Sequence, residues 1–203
     1  MKISFIGTGL MGFPMVKNLL QKKLDLKIFS RTLEKAKPLE KFGGKIISSL
    51  SKVAIDSDII FTMLTDDSAV EKVLGDSEFL NNLKPSSTVI DMSSIKPKIA
   101  IKYGKLLKEK KINFLDAPVS GGTIGAEKGS LAIMVGGEQE VFDKVLEILK
   151  IMGNPTLVGP VGSGQFSKLA NQIIVGVTIG AVAEAIILCE KAGVDANKFI
   201  KAL

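Results

Sequence analysis

A lysine and an asparagine three residues apart, Lys168 and Asn171, stand where the glycine turn Gly162-Ser163-Gly164 leads into the longest apolar stretch of the chain. On a helix that spacing puts both side chains on one face. An ammonium at the start of an apolar helix is disfavoured twice, by burial and by the positive end of the helix dipole. Its pKa is therefore expected to fall toward the range useful for proton transfer. The complete absence of histidine sharpens this reading. It removes Ser-His-Asp and Cys-His nucleophile systems, His-based zinc sites and His-dependent proton transfer in one step. Cys189 is the only cysteine, so neither an internal disulfide nor a cysteine-cluster metal site is expected, and a reducing compartment, by default the cytoplasm, fits.

A second constellation lies at the start of the chain, in Gly7-Thr8-Gly9-Leu10-Met11-Gly12. It follows a short apolar run and opens an amphipathic one, the strand-turn-helix setting that a dinucleotide fingerprint requires. Gly7 suits the tight turn, Gly9 lets backbone amides approach a pyrophosphate, and Gly12 lets the helix pack closely on the strand. The pyrophosphate would then meet free N–H groups at a helix N-terminus. About 20 residues further on, where an NAD-binding chain usually places a carboxylate, this one has Ser30-Arg31-Thr32. An arginine fork flanked by hydroxyls suits a 2′-phosphate, which favours NADP(H), with NAD(H) remaining possible. Leu64-Thr65 and Ser94 occupy further strand ends of the kind where ligands of such sheets bind.

The third segment is Asp116-Ala117-Pro118-Val119-Ser120-Gly121-Gly122. Two glycines beside Ser120 expose backbone N–H groups that could hold a carboxylate, although alone such a segment is more often an ordinary Gly-rich turn than a site. It gains weight only from the lysine segment that follows.

The elements that must position these groups are legible in the periodicity. Lys2–Ile6, Leu26–Phe29, Asp58–Met63, Thr88–Asp91, Asn113–Pro118, Leu131–Val135 and Thr156–Val158 read as strands. Between them Leu10–Gln21, Leu33–Phe42, Pro97–Glu109 and Glu138–Ile151 carry apolar residues at three- and four-residue spacings. This β-α alternation predicts an α/β, Rossmann-type, doubly wound and mostly parallel sheet. Gln165–Ala192 then reads as one long helix closed by Gly193, with Asp195 able to open another. We expect a dinucleotide-binding domain over 1–162 and the start of an all-α domain over 163–203.

Charge and hydropathy bound the partners. The net charge of +6 comes from scattered lysines such as Lys22-Lys23 and Lys110-Lys111, with few aromatics, so no nucleic-acid partner is expected; the excess would attract anionic ligands. Met1-Lys2 runs directly into the first strand, so no leader segment is expected. Leu169–Cys189 is long enough to span a membrane, yet Asn171, Gln172 and Glu184 interrupt it; a buried interdomain or interface helix, and with it a homo-oligomer, is expected instead.

Taken together in this order, the N-terminal glycines, Asp116–Gly122, Gly162–Gln172 and Glu184–Asp195 resemble the β-hydroxyacid dehydrogenase family, which includes 3-hydroxyisobutyrate dehydrogenases and the glyoxylate, succinic semialdehyde and tartronate semialdehyde reductases. The resemblance implies that Lys168 is the catalytic group, that Asn171 supports it, that Ser120, Gly121 and Gly122 bind a small anionic hydroxy or semialdehyde acid, and that Ser94 lies near the nicotinamide. It also implies several further helices, whereas this sequence stops at Leu203; a truncated helical domain or a site completed by a partner chain is expected. Tyr103 has Leu107 four positions on, which excludes the Tyr-x-x-x-Lys of short-chain dehydrogenases. The missing histidine argues against 6-phosphogluconate dehydrogenases, and the presence of Lys168 argues against imine reductases. A non-catalytic dinucleotide-binding or assembly module is the alternative, because a fold alone never proves chemistry.

Overall fold

The computed structural model describes residues 1–203, which divide into two compact units, Met1–Lys168 and Leu169–Leu203. In the first unit, β1 (Ile3–Ile6), β2 (Leu26–Phe29), β4 (Ile59–Thr62), β5 (Thr88–Asp91) and β6 (Asn113–Asp116) are each four residues long. With the two-residue β3 (Lys45–Ile46) they run parallel in the order β3-β2-β1-β4-β5-β6. That is the order of dinucleotide-binding domains, with its topological switch point between β1 and β4. The sheet continues antiparallel through β8 (Leu131–Gly136), which pairs with β6 and β7 (Val119–Ser120), and β9 (Gly153–Gly159) lies parallel on its far side.

Strand alternation explains why both faces are covered. Phe5, Phe61, Ile90 and Leu115 point to one side, where α1 (Gly12–Gln21) and α8 (Gln139–Leu149) bring Met15, Leu19 and Val145. Their neighbours Ile6, Ile60, Val89 and Phe114 point to the other, against α4 (Asp67–Leu74) and α6 (Pro97–Glu109). A period of two with apolar residues at both phases is what a sheet buried on both faces needs. Phe5 and Phe61 stack at 5.8 Å between ring centroids in register on adjacent strands.

Several boundaries depart from the sequence reading. Leu33–Phe42 is a short α2 (Leu33–Ala36) followed by a 3-10 turn over Lys37–Phe42, because Pro38 at the head of that turn has no N–H to extend an α-helical ladder. Asn113–Pro118 ends at Asp116, and the chain resumes as the antiparallel β7 after Pro118. The short helices α3 (Leu50–Ala54), α4, α5 (Ser77–Asn82) and α7 (Gly122–Lys128) were not apparent from periodicity. α9 spans Ser163–Lys191, so Lys168 is its sixth residue and lies beyond the first turn, where the dipole acts.

The second unit comprises the rest of α9 and α10 (Ala196–Ala202), whose Asp195 cap accepts from the N–H groups of Asn197 and Lys198. The expected burial of the apolar helix is not found within this chain: Leu169, Ile173, Ile174, Val177 and Leu188 are exposed.

Candidate active site

The glycine turn is built by close approach. Gly7 adopts φ +102° beneath the Met63 carbonyl, its N–H donating to Phe29 O at 2.8 Å, and a Cβ there would run into that carbonyl. Gly12 abuts the Gly7 carbonyl in the same way, whereas the outer side of Gly9 is open space. Thr8 between them is buried, and its Oγ1 has no hydrogen-bond partner in the chain. α1 begins with no side-chain cap and no acidic residue in its first turn; Phe13 N–H is taken by the Gly9 carbonyl and Pro14 has none, so the Gly12 N–H at its head is the one left for an anion.

This turn opens into a cleft of about 320 Å³ lined by Gly7, Thr8 and Gly9 from β1, by Ser30, Arg31 and Thr32 from β2, and by Leu64 and Thr65 from β4. The cleft thus sits at the switch point. Arg31, Lys35 and Lys72 line it and no carboxylate does. An orphaned buried hydroxyl, a backbone cradle with an open outer side and a carboxylate-free basic wall fit a nicotinamide dinucleotide. Lys35 was not singled out from sequence; its signal is its place four residues beyond Arg31 on the same edge. Leu10 does not line this cleft but an adjoining cavity with Thr8, Gly9 and Lys35, and it is largely exposed. The Met11 side chain turns the other way and packs on the core.

A buried polar network ties the next strand tips together. Asp91, at the end of β5, is fully buried, and its Oδ1 accepts from Thr62 Oγ1 at 2.7 Å and from Ser93 Oγ at 2.6 Å. The Ser93 hydroxyl also accepts from Leu64 N–H at 2.9 Å, which fixes one wall of the cleft. Burial pushes the Asp91 carboxyl up to about 6, against the Ser93 and Thr62 hydrogen bonds and with help from neighbouring Asp116. Asp116, the register partner of Asp91 on β6, receives the start of α9: its Oδ1 accepts from Gly162 N–H at 2.7 Å and its Oδ2 from Gln165 N–H at 2.9 Å. Burial raises its pKa as well, opposed by those N–H groups.

Lys168 follows on this anchored helix start. It is half-buried and forms no ion pair, and desolvation by burial lowers its pKa. Ser94 is exposed at the tip after β5. Ser120 is half-buried at the end of β7, paired with Ala132, and Gly121 (φ +132°) and Gly122 (φ +62°) turn exposed backbone into α7. Neither cavity described above is lined by Ser94, by Ser120–Gly122 or by Lys168. Asn171 belongs to the second unit; its Oδ1 is shielded from solvent without a hydrogen-bond partner. Asp91, Ser93, Asp116 and Gln165 had no site role in the sequence reading, since their pairing depends on strand order.

Comparison with known proteins follows the same division of the chain. The family model of the NAD binding domain of 6-phosphogluconate dehydrogenase matches residues 2–162, and that of the NAD-binding segment of NADP-dependent 3-hydroxyisobutyrate dehydrogenase matches residues 162–203. The chain is 42% identical to the 2-hydroxy-3-oxopropionate reductase of Escherichia coli, over 100% of this chain and 70% of that protein. It is 39% identical to the 2-(hydroxymethyl)glutarate dehydrogenase of Eubacterium barkeri, over 95% of this chain and 64% of that protein. The 3-hydroxyisobutyrate dehydrogenase of Mycobacterium tuberculosis, solved with L-serine, superposes with a TM-score of 0.92 at 30% identity, over 99% of this chain and 69% of that one. The chain therefore spans about two thirds of the length of these relatives.

Proposed function

Because this chain belongs to the β-hydroxyacid dehydrogenase family and has its nicotinamide dinucleotide-binding Rossmann fold, we propose that it is an NADP(H)-preferring oxidoreductase interconverting a small 3-hydroxy acid and the corresponding semialdehyde acid, with Lys168 as general acid and base. The observation that carries the proposal is Lys168 itself: an amine depleted of solvent, free of any carboxylate partner, on a helix start bolted to the strand tips beside the dinucleotide cleft.

When bound, the cofactor supplies or accepts the hydride. Arg31 and Lys35 would meet its 2′-phosphate, and Thr8, Gly9 and the Gly12 N–H at the head of α1 its pyrophosphate. Lys168 in its ammonium form gives a proton to the carbonyl oxygen during reduction, and as the free amine takes that proton from the hydroxyl during oxidation. Burial lowers its pKa, which moves the amine toward the range in which it can both give and take a proton. Ser120 with the backbone of Gly121 and Gly122 would hold the substrate carboxylate, and Asn171 would support the amine. The reducing direction needs the ammonium and the oxidising direction the amine, so oxidation should gain and reduction lose as pH rises through the Lys168 pKa.

A panel of small semialdehyde acids, assayed by the absorbance of the reduced nicotinamide with NADPH and with NADH, tests the reading. Turnover of at least one member, faster at limiting NADPH than NADH, is the expected result. Cofactor binding with no turnover of any member would instead favour the non-catalytic module.

A further inference from the structure

Gln165 is 1% exposed, and its side-chain amide is hydrogen-bonded at both ends. Its Oε1 accepts from Ile95 N–H at 3.1 Å, and its Nε2 donates to the Ser93 carbonyl at 2.8 Å. Its backbone N–H is held by Asp116. One side chain therefore joins the first turn of α9 to the loop after β5, whose Ser93 hydroxyl in turn holds Leu64 at the cleft wall. Lys168 comes three residues later on the same helix, nearly one turn on.

We propose that Gln165 is a positioning residue, a latch that sets Lys168 in register with the Leu64–Ser94 edge of the dinucleotide cleft. The inference rests on the reading of Lys168 as the proton-transfer group. The chemistry of the latch explains the residue type. It must donate to a carbonyl and accept from an N–H at once while staying uncharged in a dry setting, which an amide does and a carboxylate does only when protonated. Without it, Ile95 N–H and Ser93 C=O would be buried unpaired, and the loop and the helix start could separate to hydrate them. Lys168 would gain water in the same movement. A polar group serving stability alone would, when removed, lower the melting temperature and leave the titration of Lys168 in the folded protein untouched.

The test compares Gln165→Met, which keeps the shape and loses both bonds, Gln165→Glu and Lys168→Ala with the parent chain, each checked for folding by circular dichroism. The pH dependence of Lys168 acetylation by acetic anhydride, read by mass spectrometry, needs neither cofactor nor turnover. In Gln165→Met the Lys168 titration should move toward the ordinary lysine range by about half a unit, seen as a roughly threefold drop in labelling at fixed pH. In the same variant kcat should fall about 10- to 100-fold while NADPH affinity, read by its fluorescence, stays within about threefold. Gln165→Glu provides a second folded variant: it should match Gln165→Met at high pH and recover part of the parent behaviour when acid protonates the new carboxyl. An unchanged Lys168 titration and kcat in a folded Gln165→Met or Gln165→Glu protein overturns the latch while leaving the dehydrogenase reading intact. Undiminished turnover in Lys168→Ala overturns that reading and the latch with it.

Discussion

Asp91 is wholly buried at the tip of β5, with one carboxylate oxygen accepting from Thr62 and Ser93 and the other unpartnered. The unfolded chain releases this proton near 3.8 and the folded chain near 6. Below both values the group is neutral in both states. As pH rises from about 4 to about 6 the unfolded state ionises first, so stability is lost, by about 3 kcal/mol in all at roughly 1.4 kcal/mol per unit. Asp116 adds a contribution of the same sign. Asp25, Asp58, Asp66 and Asp67, whose pKa values are lowered, act in the opposite direction, so the parent alone does not isolate Asp91. Asp91→Asn removes the proton and keeps the shape. Urea unfolding of the two proteins at about pH 3.5 and about pH 7 should show the parent losing about 3 kcal/mol relative to the variant across that range. A difference that stays constant with pH would show that the buried carboxyl does not retain its proton.

At the scale of elements, α9 offers two glycines with opposite expected effects. A Cβ at Gly164 would lie 2.7 Å from the Asp116 carbonyl and would also meet the Met134 carbonyl, both backbone atoms that cannot swing aside. Gly164→Ala should therefore cost about 1–3 kcal/mol or more, because the helix start must lift off β6 and β8. Gly176 has nothing within 4 Å, and Gly176→Ala should stabilise by about 0.5–1 kcal/mol through helix propensity. Chemical denaturation of both variants checks the pair, and equal effects would contradict the close backbone contact at Gly164. The asymmetry also marks what sequence can reveal. β2, β5 and α6 coincide with their expected bounds because a clean apolar period or a proline at the first turn defines them locally. α4 and α5 are capped by Asp66 and Asp76, a signal present in the sequence, but each is too short for periodicity to stand out. The glycine turn was legible for the same local reason. The contact of Asp116 with Gln165 spans 49 residues and that of Gln165 with Ile95 spans 70, so both emerge only once β5 and β6 lie side by side.

For the whole molecule, one sheet carries two different tasks on neighbouring strand tips. The ends of β1, β2 and β4 form a basic, carboxylate-free cleft, and the ends of β5 and β6 hold two buried carboxylates, of which Asp116 anchors the helix bearing the amine while Asp91 holds Ser93 and Thr62. On the proposed reading, binding and proton transfer should be separable by mutation, since the groups that line the cleft do not include Lys168. The most direct measurement takes the parent and Lys168→Ala, determines NADPH affinity from its fluorescence, and follows turnover of a semialdehyde acid by nicotinamide absorbance. Affinity should stay within about threefold of the parent while turnover falls about 10²- to 10⁴-fold, the scale of a lost general acid. Turnover undiminished at equal affinity would contradict that role.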